Sequence, residues 1–142
     1  MRVPYETMLA EFERVLKKYG FSAERAHEAA EIFAQNSLAG VFSHGLNRFP
    51  RVVEYLRKGE IDPAAEAVCT ASFGAMERWD GQRGFGPLNA RHAMAADVAA
   101  SEPAEPGREV RCPGMGEHRS CKENMELGIP VAEEKWAEVL AM

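Results

Sequence analysis

Eight consecutive residues, Ser43-His44-Gly45-Leu46-Asn47-Arg48-Phe49-Pro50, set a proton carrier four positions from a fixed cation. A histidine at a helix entrance is favoured in its neutral form by the positive end of the helix dipole. Neutral imidazole both gives and takes protons near the working pH. If the helix that includes Pro50 reaches back to residue 44, then His44, Arg48, Arg51 and Tyr55 share one face. That grouping suits a substrate whose carboxylate adjoins a carbonyl. Arg48 would grip the carboxylate bidentately, and His44 would protonate the carbonyl oxygen as hydride reaches the carbon. The same residue types also describe a capping histidine beside a solvated basic face, and spacing alone leaves both readings open.

The elements that must hold this stretch are legible as periodic patterns. Tyr5, Met8, Leu9, Phe12, Val15, Leu16 and Tyr19 recur at helical spacing, predicting a first helix over 5–19 between Pro4 and Gly20. Ser22 is the expected N-cap of a second helix running to about Ala39. Its inner face is small (Ala26, Ala29, Ala30, then Phe33, Ser37 and Gly40), which predicts a close helix–helix contact. A third helix is expected from about Asn47 to Lys58, with Phe49, Val52, Val53 and Leu56 inward and Pro50 in the first turn, where no backbone donor is lost. Beyond Pro63 the pattern changes to two short strands, Ala67 to Phe73 and Met76 to Asp80, about Gly74. A helix from Leu88 to about Ala100 follows. Ser101 to Gly107 reads as a linker. A polar helix near Glu117–Leu127, an extended break at Gly128-Ile129-Pro130-Val131 and a last helix from Glu133 with Trp136, Val139 and Leu140 on one side complete a loosely attached tail. The expected fold class is therefore α+β and mainly helical: a three-helix unit, a short hairpin, one long helix, a linker at 101–110 and a helical tail at 111–142.

A chain of 142 residues, 46% hydrophobic and 27% charged, has the composition of a globular domain with a real core. The net charge of −5 argues against nucleic acid and gives no polybasic reason to sit on a membrane. No apolar run approaches a membrane span, and the N-terminus, passing straight into a helical pattern, shows no signal peptide. Three sparse cysteines, Cys69, Cys112 and Cys121, fit a reducing cytoplasm. Other constellations are weaker. Gly81, Gly84 and Gly86 run G-x-x-G-x-G, not the dinucleotide order, and read better as a tight turn into a helix. Cys112, His118 and Cys121 lack paired spacing and a fourth ligand, so no metal is expected. His27 and His92 read as surface or satisfied core residues, and Cys69 as a small apolar filler.

The octapeptide, together with Trp79-Asp80-Gly81-Gln82-Arg83-Gly84-Phe85-Gly86-Pro87, closely resembles the type 2 malate/L-lactate dehydrogenase family, a non-Rossmann group. Within that family the diketogulonate-reducing members look nearest. The likeness runs to about Ala100 and resumes at Arg111-Cys112-Pro113-Gly114, Glu123-Asn124, Gly128-Ile129-Pro130-Val131 and Trp136. It implies that His44 is the proton donor and that Ser43 and Arg48 line the substrate and nicotinamide pocket. It also implies NADH or NADPH as reductant, a 2-oxo or 2-hydroxy acid as substrate, and a homodimer. Members are considerably longer. Their middle part binds the cofactor and supplies a second active-site histidine, and no segment here matches it. The resulting expectation is a NAD(P)H-dependent 2-oxo acid reductase lacking its central segment, its cofactor-binding residues unassigned. The alternative is a catalytically inactive remnant acting as a dimerising interaction module.

Overall fold

The computed structural model describes residues 1–74, 76–100 and 119–142. The expected linker at 101–110, and with it Cys112 and His118, lies outside the described residues. In chain order the elements are β1 (Arg2–Val3), α1 (Tyr5–Lys18), α2 (Ala23–Leu38), α3 (Phe49–Arg57), β2 (Val68–Phe73), β3 (Met76–Asp80), α4 (Gly86–Ala100), α5 (Arg119–Leu127), β4 (Ile129–Pro130) and α6 (Glu133–Ala141). The mainly helical α+β reading stands, with two two-stranded antiparallel sheets, β1–β4 and β2–β3.

The periodic apolar stripe of α1 buries Met8, Phe12, Val15 and Leu16 against α2. The facing stripe of α2 is Ala26, Ala29, Ala30 and Ala34, all fully buried, so the two helices approach closely, as the small residues predict. Ser22 caps α2 by accepting the Arg25 backbone N–H. Where the alanines give way to Phe33, an aromatic cluster fills the space. Phe12 stacks on Phe49 at 4.2 Å between centroids, Phe33 meets Phe49 edge-on at 5.1 Å, and Phe85 packs on Phe33 at 5.6 Å. Four segments remote in sequence thus share one centre, and Phe49 carries the start of α3 into it.

The tail is docked, which corrects the expectation of a loose attachment. Strand β4 pairs with β1, Arg2 opposite Pro130 and Val3 opposite Ile129. Ile129, Trp136 and Val139 are buried in the same core as Val3 and Phe12. Arg2 Nη1 donates to the Gly128 carbonyl at 2.8 Å, and Asn124 Nδ2 donates to the Leu38 carbonyl at the end of α2 at 2.7 Å. The apolar content of Gly128-Ile129-Pro130-Val131 has a simple cause: it completes a sheet with the chain's first residues. The N-terminus therefore enters a strand before its helix. Leu140 does not share the inner side of α6 with Trp136 and Val139 and is 49% exposed. Cys69 is exposed on the hairpin and fills no core space, a second correction.

The β2–β3 hairpin stands out from this core. Phe73 and Met76 at its tip are 66% and 70% exposed, and Val68 is also exposed. Its base is better held. Arg25 of α2 donates through Nε and Nη2 to the Pro63 and Ala65 carbonyls at 3.1 and 2.7 Å, and the Asp62 N–H donates to the Arg83 carbonyl at 2.9 Å. Helix α4 is tied to α2 by Arg91–Glu31 and His92–Glu28 contacts, each 2.8 Å.

Two outcomes are expected. Ile129→Ala, which empties a fully buried site under the β1–β4 pair, should lower unfolding free energy by about 2–5 kcal/mol in urea titrations. A loss below about 0.5 kcal/mol would mean that the tail is not packed. Glu13 accepts from Lys17 at 2.8 Å and pairs with His27 on α2 at 2.6 Å. The Lys17 hydrogen bond first, then that from His27, holds its carboxyl below the ordinary value. A depressed folded value means stabilisation present above the unfolded value of 4.5 and lost as pH falls through the lower folded one. Glu13→Gln should therefore flatten the acid limb of the stability–pH curve while costing about 0.2–1 kcal/mol at neutral pH.

Candidate functional site

The octapeptide is a coil of successive turns on the end of α2, and α3 begins only at Phe49. The expected helix start at Asn47 is corrected, as is the possibility that the helix reaches residue 44. Pro50 sits in the first turn of α3, and upstream of Phe49 the chain closes successive turns. The N–H groups of His44 and Gly45 donate to the Val41 carbonyl at 3.0 and 3.1 Å, Asn47 to Phe42 at 3.1 Å, and Arg48 and Phe49 to Gly45 at 3.0 and 3.3 Å. From His44 to Phe49 one donor falls outside this scheme, the N–H of Leu46. It donates to Ser37 Oγ at 2.9 Å, and the Ser37 hydroxyl donates in turn to the Phe33 carbonyl at 2.8 Å. Both contacts are buried.

Gly45 is required by the same approach. A methyl group there would sit 2.2 Å from Ser37 Oγ, 2.8 Å from the Ser37 nitrogen and 3.0 Å from the Phe33 carbonyl oxygen. Leu46 and Phe49 are sunk in the core, while Ser43, His44, Asn47 and Arg48 face solvent. The turn is thus a rigid inner edge carrying a polar outer one.

On that outer edge Ser43 Oγ lies 3.0 Å from His44 Nδ1. The contact occupies Nδ1 and leaves Nε2 as the nitrogen open to a ligand. Arg48 is exposed and has no carboxylate partner among the described residues. Arg51 does not join His44. Its Nε donates to the Tyr55 hydroxyl at 2.8 Å, with the guanidinium over that ring at 5.3 Å, and this hydrogen bond raises its already high pKa. Sequence reasoning named Ser43, His44 and Arg48 but read Ser37 only as a small residue. The available signal was a hydroxyl on an otherwise alanine-and-phenylalanine stripe, since a buried hydroxyl must find partners.

The second motif forms a corner between hairpin and helix. Gly84 N–H donates to the Gly81 carbonyl at 2.7 Å, closing a tight turn as expected. Its left-handed positions are Gln82 (φ 51°) and Arg83 (φ 60°) and not the glycines. Gly84 is needed for proximity: a methyl group would lie 2.6 Å from the Ala65 carbonyl oxygen. Asn89 Nδ2 donates to the Gly81 carbonyl at 3.1 Å. His27 and His92 are surface residues paired with Glu13 and Glu28. Among the described residues no group of three His, Cys, Asp or Glu side chains is placed to share a metal.

A nicotinamide dinucleotide needs a long cleft beside His44. Hollows of about 570 and 560 Å³ lie elsewhere, one along α1 at Glu6, Leu9, Glu13 and His27, the other beside Asp62, Glu66 and Arg83. Neither includes Ser43, His44 or Arg48. Neither of these two hollows supplies such a cleft at the candidate site.

The sequence profile of the malate/L-lactate dehydrogenase family matches residues 3–100, which contain both motifs. The chain belongs to that family. It is 45% identical over 102 residues to 2,3-diketo-L-gulonate reductase of Escherichia fergusonii, an alignment covering 70% of this chain and 31% of that protein. Solved structures agree. Sulfolactate dehydrogenase from Methanocaldococcus jannaschii superposes with a TM-score of 0.66 at 30% identity, covering 70% of this chain and 29% of that one. Malate dehydrogenase from Pyrococcus horikoshii gives 0.66 at 26% identity, with 70% and 28% covered. The chain spans less than a third of the length of these dehydrogenase relatives, and the profile match stops before the tail.

Gly45→Ala is expected to cost about 1–3 kcal/mol in urea unfolding, because two of the three atoms it meets are backbone. For the same reason, adding Ser37→Ala should not rescue it. Full rescue would show that only the hydroxyl sets the approach.

Proposed function

We propose that residues 43–48 are the substrate-handling part of a 2-oxo acid reductase, with His44 as acid/base, Arg48 as carboxylate anchor and Ser43 as the group that orients the imidazole. The observation that carries this is the Ser43–His44 contact at 3.0 Å on an exposed turn that also presents Arg48, which has no carboxylate partner among the described residues. With Nδ1 engaged, Nε2 is free to give a proton to a carbonyl oxygen while the adjacent carbon accepts hydride. The imidazole then recovers a proton from solvent. Arg48, uncommitted to any described carboxylate, can meet the substrate's own in two parallel hydrogen bonds. The family's names supply the substrate class, a 2-oxo or 2-hydroxy acid of the malate, lactate or diketogulonate kind, and NADH or NADPH is the reductant such chemistry calls for. No described residue supplies the hydride, so the reading assigns this chain the proton and carboxylate roles and routes no step through the cofactor.

A second reading has its own observation. Phe73 and Met76 stand exposed together at the hairpin tip, and exposed apolar surface of that kind favours association. On this reading the chain is a catalytically inactive module that forms a homodimer.

Titration of the 142-residue chain with NADH, followed by fluorescence, separates the two. For the reductase, cofactor binding and turnover of a 2-oxo acid are expected, with turnover falling about 10²–10⁴-fold in His44→Ala. An unchanged signal at millimolar NADH, with a concentration-dependent dimer in sedimentation, would support the module and overturn the reductase.

A further inference from the structure

We infer that Ser37, a residue remote from solvent and seven positions before the proposed acid/base, is the positioning residue that fixes how the 43–48 turn presents Ser43, His44 and Arg48. Its bearing on substrate rests on the reading of His44 and Arg48 given above; its bearing on the turn does not.

The backbone donors of the turn identify the role. Every N–H from His44 to Phe49 other than that of Leu46 is satisfied by a carbonyl of the same segment, within 41–46. The Leu46 N–H sits midway between His44 and Arg48 and points at α2, where Ser37 Oγ is its acceptor at 2.9 Å. The hydroxyl is itself oriented by donating to the Phe33 carbonyl at 2.8 Å, so its lone pair has a set direction. Ser37 is fully buried, and no water can substitute without opening the contact. Phe33, whose backbone carbonyl orients the hydroxyl, also meets Phe49 edge-on through its ring, so one residue contacts both Ser37 and the start of α3.

Geometry closes the argument from the other side. The absent Cβ of Gly45 is what admits the Ser37 hydroxyl to within reach of Leu46. One residue later Asn124 of α5 holds the Leu38 carbonyl at 2.7 Å, so the end of α2 is itself braced by the tail. Loss of the hydroxyl leaves a buried N–H without its partner, and moving Leu46 outward to relieve that would rotate His44 and Arg48 relative to each other.

The test uses the whole chain and two variants, Ser37→Ala and the hydroxyl-keeping Ser37→Thr. In wild-type protein the Leu46 amide should exchange with solvent deuterium as slowly as the central amides of α2; exchange at the rate of an unprotected peptide overturns the inference without any variant. In Ser37→Ala the His44 imidazole and Arg48 Nε–H resonances should shift while the Trp136 indole resonance stays in place, and Ser37→Thr should restore them. Wild-type His44 and Arg48 signals in a folded Ser37→Ala protein overturn the role. Oxamate, a carboxylate joined to a carbonyl, then probes substrate handling. Its dissociation constant should rise about tenfold in Ser37→Ala, as expected when the competent turn is populated about a tenth of the time, and recover in Ser37→Thr. If wild-type protein fails to bind oxamate, the reading of His44 and Arg48 falls while the resonance comparison still decides the part played by Ser37.

Discussion

The backbone of Gly45 and Leu46 lies directly on Ser37, and the remaining arrangement of the site follows from that approach. It requires a residue without a side chain at 45, a small polar residue at 37, and a face of α2 otherwise built of alanine so that α1 can press in behind. Once the inner edge is fixed, alternation does the rest. Leu46 and Phe49 are drawn into the core, and the positions between and before them must face water. The polar residues are outward because their neighbours are inward. The turn is thereby held by the stability of the core itself.

The two halves of the described chain differ in how they are supported. The turn stands on helices that share an aromatic centre, with the tail packed behind them. The hairpin is fastened at its base by Arg25 and Asp62 but projects Phe73 and Met76 into solvent. The corner after it carries two non-glycine residues in left-handed backbone conformations, which cost of order 1–2 kcal/mol each unless the surroundings impose them. The bare apolar side chains stand at the hairpin tip, and the left-handed residues lie past its base, where the Asp62 N–H reaches the Arg83 carbonyl.

Much of this was legible in the sequence. Strong 3.6-residue periodicity placed α1, α2 and α6, and the small stripe of α2 announced its close contact. Ser43, His44 and Arg48 were visible because charged and titratable residues beside glycine and proline are rare enough to notice. What was not legible shares one cause: each feature depends on a partner far along the chain. Ser37 looks like any small residue until Leu46 is seen to need an acceptor. Gly128-Ile129-Pro130-Val131 looks like a break until Arg2–Val3 is laid beside it. Leu140 fits the inward side of α6 by spacing alone, and Cys69 resembles core filler only if the hairpin is assumed to be covered. The start of α3 falls two residues later than expected, because the segment before it closes its donors in turns whose form depends on the contact with Ser37.

The pairing of β1 with β4 ties the two ends of the described unit together, Val3 against Ile129. The stretch between α4 and α5 therefore joins segments that the fold already fixes, through the β1–β4 pair and the Asn124–Leu38 contact. Loop entropy grows only with the logarithm of length, so tripling such a loop costs about 1 kcal/mol. A unit closed in this way can carry a short connection or an entire additional domain at the same point with little change in its own folding, as an earring changes without altering the ear.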